Sequence, residues 1–93
     1  MGATIVRRLV IKGRVQGVGF RYGLADEARA LGLRGWVRNC RDGDVEAMVA
    51  GPAQDVDAII AWAHKGPPGA KVSAVSVEPA EGDFANFEIN PTT

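Results

Sequence analysis

The chain reads as an α+β fold: a ferredoxin-like split βαββαβ sandwich, with an antiparallel-rich sheet, two helices on one face and a short fifth strand. Three observations predict it. Two amphipathic runs with the helical period of about 3.6 residues each lie between strand-like runs. The pair Asp42-Gly43 joins the second and third strand-like runs and is the strongest short hairpin signal present. No linker, internal repeat or low-complexity segment divides the 93 residues, so residues 1–93 are expected to form a single domain.

In order, residues 4–12 place Ile5, Leu9 and Ile11 on one face and Val6 and Val10 on the other. Apolar residues on both faces suit an inner strand. Phe20, Leu24, Ala28 and Leu31 then recur at helical spacing, with Asp26, Glu27 and Arg29 between them, and Gly32 is a natural stop. Residues 35–40 and 45–50 are the two strands of the hairpin. After Gly51-Pro52, the residues Val56, Ile59, Ile60 and Ala63 mark a second helix, ended by Gly66-Pro67-Pro68-Gly69. Residues 72–77 read as a fourth strand and 87–89 as a short last one. A right-handed first crossover makes strand two parallel to strand one, with strand three antiparallel between them. The loop from Gly13 and the end of strand two at Asn39 are therefore expected to meet at one end of the sheet.

Composition narrows the partners. The chain is 46% hydrophobic and 24% charged, ordinary for a globular domain. Its net charge is zero, yet residues 1–47 carry nine Lys and Arg against five acids, leaving the first half at +4. A basic half suits a small anion, while a neutral total argues against a nucleic-acid binder held by phosphate contacts. Aromatics make up 6% and no RNP-like motif is present, which tells against an RNA-recognition domain of the same topology. No apolar run reaches membrane-spanning length, and the start carries no signal-peptide pattern. Met1-Gly2 is a poor myristoylation start, because Val6 stands where Ser or Thr is expected. The single Cys40 forms no internal disulfide, so a reducing cytoplasm is the expected compartment, and the protein is expected to be a monomer.

The most informative stretch is Gly13-Arg14-Val15-Gln16-Gly17-Val18-Gly19-Phe20-Arg21, between the first strand and the first helix. Its three glycines let the backbone bend tightly with amides turned inward. It closes on an arginine at a helix start, where unpaired amides already favour an anion. Neither a Walker A loop nor a dinucleotide fingerprint fits the spacing. Spacing alone leaves two readings open, a phosphate cradle and a plain chain turn. Arg21 suits a phosphoryl group through its planar fork, or is a surface helix arginine. Asn39 holds a water in one orientation, or is a strand-end residue. A cysteine phosphatase is excluded because Glu46, not arginine, stands six places after Cys40. His64 reads as a solvated helix-end residue. Asp42, Asp44 and Glu46 read as turn and surface charges rather than a metal site, and Trp36 and Trp62 as packing in or beside the core.

That stretch, with Gly35-Trp36-Val37-Arg38-Asn39, Asp42-Gly43, Val45-Glu46-Ala47 and Lys65-Gly66-Pro67-Pro68-Gly69-Ala70, resembles the acylphosphatases, with the spacing between blocks intact. Cys40 and Asn90 are less usual for that family. The resemblance implies phosphate binding by the amides of Val15, Gln16, Gly17, Val18, Gly19 and Phe20 and by Arg21. It also implies an attacking water positioned by Asn39, so that Arg21 and Asn39 are the catalytic pair. The implied reaction is metal-free and cofactor-free hydrolysis of a carboxyl–phosphate anhydride such as acetyl phosphate, carbamoyl phosphate or an acyl phosphate of glycolysis. Inorganic phosphate is then product and competitive ligand. The alternative is a non-catalytic acyl or carbamoyl phosphate-binding module of the same fold, which turnover of acetyl phosphate separates from the enzyme.

Overall fold

The chain runs β1 (Thr4–Arg14), α1 (Phe20–Ala30), β2 (Arg34–Asn39), β3 (Val45–Pro52), α2 (Ala53–Lys65), β4 (Lys71–Pro79) and β5 (Phe87–Ile89) in a computed structural model that describes residues 3–93. Met1-Gly2 lies outside the described residues. The strand order is β4-β1-β3-β2-β5. β1 is antiparallel to β3 and β4, β2 is antiparallel to β3, and β5 runs parallel to β2. β1 and β2 are therefore parallel with β3 between them, as the crossover rule requires.

Strand alternation sorts the side chains into a covered and an open face. Leu9, Ile11, Val37, Val45, Ala47 and Val49 share the covered face and are fully buried there. Phe20, Leu24, Ala25 and Ala28 of α1 and Val56, Ile59 and Ala63 of α2 meet them. α1 rests on β2 and β5, and α2 on β1, β3 and β4. Each Val, Leu or Ile so buried contributes about 1.5–3 kcal/mol. α1 ends in a Schellman pair: Leu33 N–H donates to the Ala28 carbonyl at 2.8 Å, and Gly32 N–H to that of Arg29 at 3.0 Å.

The open face is organised by charge. Arg8 Nε of β1 donates to Glu46 Oε2 of β3 at 2.6 Å, and Arg38 Nη2 of β2 donates to Glu46 Oε1 at 2.7 Å. A second nitrogen of Arg8 reaches Glu78 at 2.8 Å, and the Arg38 guanidinium lies 4.8 Å from the centre of the Trp36 ring. Glu46 is thus buried, not the surface charge its sequence setting suggests. The reason is its place on a central strand, with an arginine on each neighbour. Burial pushes its carboxyl up, but the hydrogen bonds and charges of Arg38 and Arg8 outweigh that and hold it below the usual carboxylate range. Trp36 lies half-buried on this open face, while Trp62 packs against the core.

Candidate active site

Because β1 and β2 are parallel, their carboxyl ends leave the sheet together, and the 15–19 loop after β1 meets the last residue of β2. They enclose a cavity of about 150 Å³ lined by Val15, Gly17, Gly19, Phe20, Arg21, Tyr22 and Asn39. Larger hollows of about 530 Å³ beside Trp62 and about 250 Å³ beside Arg34 lie away from both expected catalytic side chains.

Backbone conformation makes the loop a donor surface. Gly17 and Gly19 adopt φ of 75° and 79°, the left-handed region that costs other residues about 1–2 kcal/mol. Among the described residues, the amides of Val15, Gln16, Gly17, Val18 and Gly19 donate to no backbone carbonyl. Gly19 caps α1 with no side-chain bond, and the first turn carries no acid. The positive end of the helix therefore faces the cavity unneutralised.

Three side chains fix the loop. Val15 and Phe20 are each 1% exposed, anchoring both ends in the core, and Phe20 meets Trp62 edge-on with ring centres 5.4 Å apart. Gln16 points away from the cavity: its Nε2 donates to the carbonyls of Cys40 at 2.7 Å and Asp44 at 2.9 Å. Val18 is partly buried against the core and does not line the cavity either. Of the expected loop residues, Gln16 and Val18 thus offer it only their backbone.

Two of the polar side chains that line the cavity, Arg21 and Asn39, are left without a polar partner among the described residues. Arg21 forms no ion pair with a described carboxylate, and its guanidinium rests 5.7 Å from the centre of the Tyr22 ring. Asn39 Oδ1 is buried and lacks any hydrogen-bond donor among the described residues. A buried acceptor left so costs about 1–3 kcal/mol, so it implies a small donor, such as water, in the cavity. The neighbouring acids are already engaged: Asp44 pairs with Lys12 at 2.6 Å, and Asp42 accepts the Asp44 amide at 2.9 Å. Burial, reinforced by Glu46 and Asp42, pushes the Cys40 thiol up, so it is no ready nucleophile. His64 is exposed at the end of α2.

The acylphosphatase family model matches residues 7–89. The chain belongs to the acylphosphatase family. An acylphosphatase of Albidiferax ferrireducens is 50% identical over 91 residues, covering 98% of this chain and 99% of that one. An acylphosphatase structure from Coxiella burnetii superposes with a TM-score of 0.90 at 34% identity, covering 94% and 93% of the two chains. Full-length HypF, in a phosphate- and nucleotide-bound form, matches with a TM-score of 0.89 at 27% identity over 99% of this chain but only 12% of its own. The protein is accordingly a hydrolase, and its substrates are small acyl phosphates.

Two features of this acylphosphatase site escaped the sequence reading. The Gln16 tether joins residues 24 and 28 apart, a relation no local pattern carries. Tyr22 lines the cavity, and its only signal was adjacency to Arg21.

Proposed function

We propose that Arg21 and the amides of Val15, Gln16, Gly17, Val18, Gly19 and Phe20 hold the phosphoryl group of an acyl phosphate while Asn39 aims the attacking water. The observation that carries this is the buried, partnerless Oδ1 of Asn39 in a cavity walled by free amides and an unpaired guanidinium. A water donating one hydrogen to Oδ1 presents a lone pair to phosphorus. Its oxygen bonds to phosphorus as the acyl C–O–P bridge breaks on the phosphorus side; the electron pair leaves with the carboxylate, and both protons of the water end on the phosphate product. A carboxyl group has a pKa of about 4, so that leaving group needs no general acid. Charge on the equatorial oxygens is met by Arg21 and by donors already in place, which is where phosphoryl transfer gains most.

Acetyl phosphate, carbamoyl phosphate and the acyl phosphates of glycolysis fit this reading, with inorganic phosphate as product and competitive ligand. Residues 1–93 act as one monomeric domain in the cytoplasm. The test is a pair of variants assayed for acetyl phosphate hydrolysis and phosphate affinity. Arg21→Ala loses phosphate binding and nearly all turnover. Asn39→Ala keeps phosphate binding and loses about 10²- to 10³-fold in kcat, the scale of one missing preorganised group. An Asn39→Ala enzyme that turns over normally refutes the assignment.

A further inference from the structure

With the phosphoryl group and the water assigned, the acyl end of the substrate has no partner. The cavity of about 150 Å³ is well below the roughly 300–1,000 Å³ of sites that enclose a whole organic ligand, so a bulky acyl group must leave it at the rim. Most of the lining cannot receive that group. Val15 and Phe20 are turned into the core, Gly17 and Gly19 have no side chains, and Arg21 and Asn39 are occupied by charge and water. Tyr22 is what remains. The residue is 62% exposed, so its ring is open to a ligand, and it stands beside the guanidinium at 5.7 Å.

We propose that Tyr22 receives the acyl group and gives this enzyme a preference for aromatic acyl phosphates. In-line displacement sends the leaving carboxylate away from the water on Asn39. Asn39 ends β2, whereas Tyr22 stands on the first turn of α1, beside the residue that holds the phosphoryl group. An aryl ring attached to that carboxylate meets the tyrosine ring in an offset or edge-on contact, which a methyl group is too small to make. The inference rests on Arg21 as the phosphoryl holder.

The test compares benzoyl phosphate with acetyl phosphate in the wild type, Tyr22→Phe, Tyr22→Leu and Tyr22→Ala. The ratio of the two kcat/KM values falls roughly three- to tenfold in Tyr22→Ala, the scale of one aromatic pair, and is kept in Tyr22→Phe. Benzoylphosphonate inhibition, relative to acetylphosphonate, weakens by the same factor, which reports the contact without turnover. An unchanged ratio overturns the proposal. So does an equal loss on both substrates, because it shows that Tyr22 acts only by steadying Arg21. Failure of the phosphoryl-holder reading looks different: inorganic phosphate then binds Arg21→Ala as tightly as it binds the wild type. Tyr22→Leu carries the test if the alanine variant does not fold.

Discussion

Replacing Gln16 with leucine cuts the link between the 15–19 loop and the β2–β3 turn while leaving every loop amide in place. The structure sets the energetic scale. The side chain donates at 2.7 and 2.9 Å, and neutral hydrogen bonds contribute about 0.5–1.5 kcal/mol each. Neither acceptor is orphaned by the change. The Cys40 carbonyl keeps the Gly43 amide at 3.1 Å, and the Asp44 carbonyl keeps the Cys40 amide at 2.8 Å. The cost therefore falls near the low end, about 1 kcal/mol in all, or about 4–8 °C in Tm for a chain of this size. The kinetic cost is larger. Asn39 lies one residue before Cys40, so the tether sets the loop against the Asn39 side chain. A misplacement of about 1 Å can cost of order 10²-fold. Acetyl phosphate kinetics with thermal melts should show kcat down roughly ten- to a hundredfold, with phosphate inhibition weakened only a few-fold because Arg21 and the amides survive. A variant with the lowered Tm but kcat within twofold of wild type would show that the tether contributes stability alone, and the positioning role would be lost.

The glycines separate strain from collision: Gly19→Ala meets no atom within 4 Å and costs only its left-handed backbone, about 1–2 kcal/mol. Gly35→Ala, at φ 135°, drives its Cβ into the Met48 carbonyl across the β2–β3 pair, so it should melt far lower than Gly19→Ala in circular dichroism; equal melts refute the register. Glu46→Gln removes a carboxylate whose native pKa is lowered, so its contribution is full above the ordinary carboxylate value of about 4.3 and is lost as pH falls through the native value. The arginine side chains are 39% and 33% exposed, which limits the loss at pH 7 to about 1–2 kcal/mol. Urea titrations across pH 3–7 should show a flatter acid limb in the variant, and an unchanged limb would place the acid sensitivity elsewhere.

The helices and hairpin were legible because their signals are local: helical spacing at Phe20, Leu24 and Ala28, and Asp-Gly at 42 and 43. The hairpin closes with a three-residue loop, Cys40 N–H donating to the Asp44 carbonyl at 2.8 Å, a detail set by the Gly43 φ of 100°. The meeting of the 15–19 loop with Asn39 followed from one handedness rule. What the sequence could not show depends on partners distant along the chain. Glu46 sits among alternating charges and looks solvated until β1 and β2 bring an arginine to each side of it. Gln16 reads as one more loop amide until its side chain is seen crossing to the turn. β5, three residues long, has too short a pattern to reveal that it runs parallel beside β2.

Strand order sets the width of the cavity, and that width matches what the proposed phosphoryl group needs. Neighbouring strands lie about 4.8 Å apart, so the ends of β1 and β2, with β3 between them, stand roughly 10 Å apart. If β2 paired directly with β1, the loop and Asn39 would close on each other and leave no space for phosphorus with its oxygens and a water. With a further strand inserted, the asparagine would not reach. The spacing is held from the open face by one carboxylate: Glu46 on β3 grips Arg8 on β1 and Arg38 on β2, and Arg38 is the residue before Asn39. A clamp on the side of the sheet away from the cavity thus sets the width across which the loop amides, Arg21 and Asn39 face one another.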